Sequence, residues 1–265
     1  MGTPRIRCAQ IRTKNPTAKP LKGRIFVPGR SIVRLGSQTP TQQAFPKSYG
    51  VWPIKEINTV DSVLNSRDKL RMKTCFKGFA GSEIPQAQWW EIADLQEKNY
   101  KNLPYPLVAK RVVGFKGHGM FLVNNEQELR DNLPIIRQGR FLEHFHNFAR
   151  EYRLHCTQDE CFMAWRKLRK ENSKERWFFN SLNCNWVSPA HELFDRPSDW
   201  DRVVASSIAA MKAVGLDIGA VDVRIQSNKH KEPAYIICEV NSAPALGDQG
   251  AAMYERTIKK LLTKR

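Results

Sequence analysis

No stretch of this chain approaches the roughly 20 consecutive apolar residues that a membrane helix needs, so no membrane span is expected. The opening residues, MGTPRIRCAQIRTK, are basic but lack an apolar core, and a secretory signal is not expected either. The six cysteines (Cys8, Cys75, Cys156, Cys161, Cys184 and Cys238) include no C-x-x-C pair. Cysteines scattered in this way argue against a zinc site and for reduced thiols in a cytoplasm. No internal repeat is present, and the six dispersed histidines form no Ser-His-Asp or Cys-His arrangement, which argues against a nucleophilic side-chain mechanism. Acids are missing from residues 1–55, where eleven Lys or Arg stand alone.

What is present suffices for a sizeable core: 265 residues, 41% hydrophobic and 10% aromatic, fit one compact domain or two tightly packed lobes. The net charge is +17, and the eleven uncompensated cations of the first fifth supply most of it. Such a segment reads as a solvated basic arm. It reads equally as an electrostatic footprint for a polyanion, such as nucleic acid or a phosphorylated substrate. Composition leaves both open.

Residues 1–24 read as irregular, Arg24–Val27 and Ser31–Leu35 as short strands, and 37–53 as irregular again. Helices are expected over Asp61–Phe76 and, more briefly, over 86–100. From Leu107 the pattern is strand, glycine turn (Gly114–Gly119) and strand, followed by a helix over Asn125–Leu133. Arg140–His146, Tyr152–Cys156 and Cys161–Arg166 are further strands. Ser198–Val214 is the clearest helix, with Ser198 as expected N-cap and Gly215 at its C-terminus. Strands at Ile218–Ile225 and Ala234–Val240 and a terminal helix over Gly250–Leu262 complete an α+β pattern.

The chemistry concentrates in two of these strands. AVDVRI and YIICEVN each interrupt an apolar run with an acid. A hairpin with its tip near His230 sets Asp222 opposite Glu239, and Asn241, two residues on, shares the Glu239 face. Three oxygen donors then converge, which suits magnesium, a hard cation completed by phosphate oxygens and water. The alternative is a pair of edge-strand acids facing solvent beside a loop Asn. Acids within strands this apolar are costly unless paired or metal-bound.

Together, GLDIGAVDVRIQ and YIICEVNSAPAL resemble the ATP-grasp signature, a strand Asp followed by E-x-N and a small-Pro segment. The resemblance covers roughly residues 66–262 and is strongest in the last fifty. It implies an α+β fold whose two lobes clamp ATP, with magnesium, or alternatively manganese, bridging the phosphates. Residues 61–265 would form that domain, with a small lobe at about 100–145 and the large lobe in the remainder. Residues 1–60 would be a reduced preceding lobe, of which Arg34–Ser37 is a remnant.

The resemblance also implies roles. Lys69, in NSRDK followed by Met72, resembles an early nucleotide-binding lysine, and Lys110 the strand-end lysine directed at the α- and β-phosphates. GFKGHG resembles the loop over the phosphates, in which Gly117, His118 and Gly119 bind and Lys116 adds charge. Glu143, His144 and Phe145 resemble the hinge whose backbone reads adenine. Glu151 resembles the ribose-binding acid, although on residues alone it could pair with Arg153. Arg166, with Lys167 beside it, resembles the cation on the γ-phosphate; Arg166, Lys116 and Arg224 are the cations assigned to catalysis. The segment 171–185 matches nothing in the family pattern.

The function implied is an ATP-dependent carboxylate–amine ligase that passes through an acyl phosphate. Its nearest likeness is the glutamate-ligase branch, including small bacteriophage-encoded ligases, which would work in the host cytoplasm. The expected partners are ATP, a carboxylate donor and an amine acceptor, one of which the basic arm would suit if it were a nucleic acid or an acidic protein. Two rivals are a phosphotransferase acting on a hydroxyl and a non-enzymatic nucleic-acid-binding protein.

Overall fold

The computed structural model describes residues 31–41, 55–80, 83–114, 117–148, 150–173, 177–179, 183–226 and 232–263. The strand expected at 24–27, the basic arm up to residue 30, Lys116 and the hairpin tip at His230 lie outside the described residues. In chain order the elements are β1 (Ser31–Val33), β2 (Lys55–Ile57), α1 (Val60–Arg67), α2 (Lys69–Lys77), β3 (Trp89–Trp90), β4 (Leu107–Arg111) and β5 (Phe121–Val123). There follow α3 (Glu126–Ile136), β6 (Arg140–His144), β7 (Arg150–Thr157), β8 (Cys161–Arg169) and β9 (Cys184–Val187). The last elements are α4 (Trp200–Val214), β10 (Ile218–Ile225), β11 (Tyr235–Asn241) and α5 (Asp248–Thr263).

Two antiparallel sheets frame the molecule. The larger has the order β11-β10-β7-β8-β9 and the smaller β3-β6-β4-β5. A strand's side chains alternate between faces, and the central strands use this strictly. Tyr152, Leu154, Cys156, Val221, Val223 and Ile225 are buried against Val63 of α1, Met72 and Phe76 of α2, and Met211 and Val214 of α4. Each such apolar side chain contributes about 2 kcal/mol on leaving water. On the other face, Tyr254 and Ile258 of α5 cover Ile218 and Met163, together with Val33 and Ile57 of the small parallel pair β1–β2. The rest of that face turns toward the small sheet, whose far side buries Leu107, Ala109 and Leu142 against Leu129 and Ile136 of α3. The smaller sheet and α3 lie within Trp89–His144.

Local chemistry explains where the elements depart from the sequence pattern. The helix expected over Asp61–Phe76 is two helices: Asp68 takes an extended backbone (φ −87°, ψ 113°), and its carboxylate accepts from the amides of Leu70 and Arg71 as N-cap of α2. The helix expected over 86–100 is instead β3, paired with Glu143 and Leu142, followed by two 3₁₀ turns at Ile92–Asp94 and Glu97–Asn102. At α4 the N-cap is Asp199 rather than Ser198, while Gly215 closes the helix at φ +76°, where a side chain would be strained. Arg34 is fully buried and is held by Glu56 at 2.8 Å and by Thr41 at 2.9 Å. Asn58 spans the carbonyls of Arg34 and Ile218, tying β1 and β2 to β10. Among the described residues no helix is long and apolar enough to cross a membrane.

Candidate active site between the two sheets

The face of the large sheet that turns toward the small one is charged. On β7 the residues of this face are Glu151 and Arg153; on β10, Asp222 and Arg224; on β8, Trp165 and Lys167; on β9, Trp186, as the strand registers require. Asp222 is buried, and Arg153 grips it bidentately, Nε to Oδ1 and Nη2 to Oδ2, both at 2.7 Å. Such a fork is the strongest form of carboxylate pairing. Lys167 reaches Asp222 Oδ2 at 3.2 Å and also holds Glu151, whose other oxygen lies 3.6 Å from Arg224 Nε. The Trp186 ring lies 4.9 Å from the Arg153 guanidinium and 5.1 Å from Lys167 Nζ, a cation–π floor beneath the cluster.

Asp222 lies opposite Glu239, and immediately beyond this pair the ladder shifts register, leaving Cys238 as the extra residue of a β-bulge. Glu239 meets Lys69 Nζ at 3.5 Å and accepts from Asn241 Nδ2 at 3.1 Å. Lys69 also donates to the carbonyl of Gly114, so the first residue of α2 joins the acid strand to the glycine loop. Across the cleft, Glu143 of β6 lies between two lysines. Lys110 of β4 bonds one oxygen, and Lys73, one turn beyond Lys69 on α2, bonds the other at 2.6 Å.

Burial alone would raise these carboxyls. The charges of Lys110 and Lys73 outweigh it at Glu143 and hold that group at about 2. Arg153 and Lys167 do the same for Asp222, which stays well below the usual carboxylate range. Burial lowers Lys73, whereas for Lys110 and Lys167 burial is outweighed by their carboxylates and both are raised. Burial, then Glu151, pushes the Cys238 thiol up to about 12, so it is a neutral wall of the cleft. Six cations (Lys69, Lys73, Lys110, Arg153, Lys167 and Arg224) thus face four carboxylates (Glu143, Glu151, Asp222 and Glu239), an excess of two positive charges. A partly buried surplus of this kind calls for an anionic ligand.

The fold that carries this cleft is similar to solved structures. D-alanine–D-alanine ligase from Bacillus anthracis superposes with a TM-score of 0.63 at 17% identity, over 91% of this chain and 80% of that one. The chain has the ATP-grasp fold. The N5-carboxyaminoimidazole synthetase from Staphylococcus aureus, complexed with ADP, matches at TM-score 0.59 and 16% identity, over 85% of this chain and 56% of its own. The L-amino acid ligase from Bacillus licheniformis matches at TM-score 0.52 and 20% identity, over 74% of this chain and 44% of its own. The chain therefore spans about half the length of the last two. No protein-family model matches the sequence, and no curated protein matches it.

Within this ATP-grasp frame the residues expected from sequence fall into three groups. Lys69, Lys110, Glu143, Glu151, Lys167, Asp222, Arg224, Glu239 and Asn241 converge on the cleft. Gly117 and Gly119, at φ +72° and +71°, bound the loop above it with exposed His118 between them; Lys116 lies outside the described residues. The third group is displaced. Arg166 pairs with Tyr152 in register and shares its face, so its side chain points away from the cleft, to Asp195 and to the Leu193 carbonyl at 2.6 Å. Period two puts Lys167, not Arg166, beside Asp222. The Glu151–Arg153 pairing does not form either, because Asp222 claims the guanidinium. At the hinge, the amides of His144 and Phe145 already donate to Gln88 and Pro106 at 2.9 and 3.0 Å. Both amides are thus engaged, and the Glu143 carboxylate belongs to the lysine pair.

Sequence reading missed Lys73, Arg153, Trp186 and the aromatic run Trp177–Phe179. The i, i+4 spacing of Lys69 and Lys73 and the i, i+2 spacing of Glu151 and Arg153 were the available signals. The aromatic run had none, because only the fold brings it to the cleft. A Cβ on Gly117 would stand 2.7 Å from the Phe178 ring, so only glycine admits that contact. Trp177 meets Phe145 edge-on at 6.1 Å, and Arg224 donates to its carbonyl at 3.2 Å. Part of the unassigned 171–185 segment therefore bridges the glycine loop and the hinge.

Among the described residues no three His, Cys, Asp or Glu side chains converge as a metal site. The Asp222, Glu239 and Asn241 set holds two carboxylates and an amide oxygen. Its oxygen chemistry fits magnesium, and Glu239, about one-third exposed, opens toward the cleft.

Proposed function

We propose that this chain is an ATP- and magnesium-dependent carboxylate–amine ligase. The observation that carries the reading is the excess of two cations in a cleft between two sheets, walled by a glycine loop with left-handed Gly117 and Gly119. Polyphosphate is the ligand class that such a surface neutralises. Similarity to ligases of the same fold supports the class of reaction.

In this reading Lys110 of the small sheet and Lys73 of α2 hold the α- and β-phosphates, and Arg153, Lys167 and Arg224 face the γ-phosphate from the large sheet. Glu239, Asn241 and Asp222 would hold magnesium, which neutralises charge on the phosphates when bound. A carboxylate is a poor electrophile because oxide would have to leave. Transfer of the γ-phosphoryl to a carboxylate oxygen breaks the bond to ADP and forms an acyl phosphate. An amine then attacks the carbonyl carbon, phosphate departs with the bonding pair, and the amine loses a proton. The work asked of the chain is positioning and charge neutralisation.

Apart from Arg34, which is buried on Glu56, the cations of residues 1–55 favour a polyanionic partner as one substrate, carried by charge alone. ATP turnover should be measured against pools of amino acids, with and without DNA, RNA and acidic peptides. Phosphate release coupled to amide formation supports the ligase. Formation of a stable phosphoester makes the chain a phosphotransferase, and no turnover with any pool removes the proposal.

A further inference from the structure

A pair of cysteines lies outside the cleft chemistry, on the opposite face of the same two strands. Cys156 of β7 and Cys161 of β8 are register partners, and the Cys161 thiol donates to the Met163 carbonyl at 3.5 Å. Among the described residues no other two cysteines are partners across a ladder. Their position in the hairpin is specific. The turn between them is closed by the Thr157 amide donating to the Glu160 carbonyl at 2.8 Å. The β7–β8 ladder shifts register between His155 and Cys156, so this pair sits between a β-bulge and the turn, its two residues directly opposed. Directly opposed residues of an antiparallel pair have Cα atoms about 4.5–5.5 Å apart, inside the roughly 4.4–6.8 Å window a disulfide requires.

The two thiols are also unequal in access. Cys156 is fully buried within the apolar core, whereas Cys161 is half-buried at its margin. We propose that Cys161 and Cys156 form a thiol-oxidation site, an accessible attacking thiol and a buried resolving thiol, closed by a cross-strand disulfide. The difference in access makes Cys161 the nucleophile, because attack on an external disulfide needs an accessible sulfur.

With glutathione disulfide as oxidant, the Cys161 thiolate attacks one sulfur and breaks its S–S bond, and one glutathione thiolate leaves. Cys156 loses its proton and attacks the Cys161 sulfur of the mixed disulfide, and the second glutathione thiolate leaves. The protein dithiol is oxidised by two electrons, and glutathione disulfide is reduced to two thiols, which take up both protons. Closure needs no movement of β7 against β8, because the ladder already holds the two residues opposite each other.

The experiment uses the full chain, treated with increasing glutathione disulfide, quenched in acid at set times, unfolded, alkylated and mapped without reductant. The expected result is loss of two hydrogens, located in one peptide spanning Cys156 and Cys161, preceded by a transient glutathione adduct on Cys161. Cys156→Ala should trap that adduct, and Cys161→Ala should leave Cys156 unmodified. The early time points of the unaltered chain test the same order should Cys156→Ala not fold. The proposal is overturned if both thiols remain alkylatable after excess oxidant, or if adducts form first on Cys75, Cys184 or Cys238. Nucleotide plays no part in this readout, so the result stands apart from the proposed ligase activity.

Discussion

The two faces of the large sheet are built from the same strands yet obey different rules. On one face Tyr152, Leu154, Val221 and Val223 pack against α1, α2 and α4, and each contributes nearly independently through buried area. On the other, one residue along in each case, Glu151, Arg153, Asp222 and Arg224 hold one another in place through shared partners. Removing an apolar side chain leaves a cavity. Removing one charged side chain leaves its partners buried and unpaired, which alters their charge states as well as costing stability. The apolar face thus sets whether the chain folds, and the charged face sets what it binds.

Exchanging the acids of the charged face should have the largest effect. Asp222→Asn with Glu239→Gln should lower turnover by at least about 100-fold, through lost charge stabilisation, and abolish the magnesium-dependent part of the ATP-induced rise in Tm. Far-ultraviolet circular dichroism should be unchanged; full turnover in the double variant would reject the proposed metal ligands. Across the cleft, Glu143→Gln should cost about 3 kcal/mol at neutral pH, because Lys73 and Lys110 lose their common partner. The folded Glu143 sits at about 2 against an ordinary 4.5, so the unfolded chain takes up this proton first. Its contribution is therefore complete above about pH 4.5 and disappears as pH falls toward 2. Denaturant unfolding between pH 6 and pH 3 should show a steeper acid limb in the parent than in the variant.

On the apolar face, Leu154→Ala should cost a similar amount, about 3 kcal/mol, while leaving turnover per folded molecule unchanged. A fall in turnover matching that of the double acid variant would erase the distinction between the faces. The smallest effect belongs to Arg166, which is bound to half-exposed Asp195: Arg166→Ala should cost no more than about 1 kcal/mol and change ATP affinity little. Lys167→Ala, its neighbour on the other face, should weaken ATP binding strongly. Equal affinities for these two variants would contradict the register.

That register was partly legible in the sequence. Asp222 faces Glu239 as a hairpin centred between them requires, because hairpin pairing is local arithmetic. Lys110 and the glycine loop were legible because short strands flank a glycine-rich turn. Arg166 was assigned to the cleft by its resemblance to the family's γ-phosphate cation, whereas strand alternation turns Lys167 to the cleft and Arg166 away from it. Lys73 and Arg153 carried no motif; their importance comes from packing that sets α2 beside β6 and β7 beside β10. The break at Asp68 was hidden because an acid inside a helical pattern reads as solvated surface until its carboxylate is seen capping α2.

The central claim is that cations from both sheets bind the polyphosphate of ATP. Calorimetric titration of ATP with magnesium into the parent chain, Lys110→Ala and Arg166→Ala tests it directly. The account predicts binding to the parent, at least about tenfold weaker binding to Lys110→Ala through loss of a charge-assisted contact, and near-parent binding to Arg166→Ala. Absence of ATP binding to the parent, or equal affinity in Lys110→Ala, would contradict it.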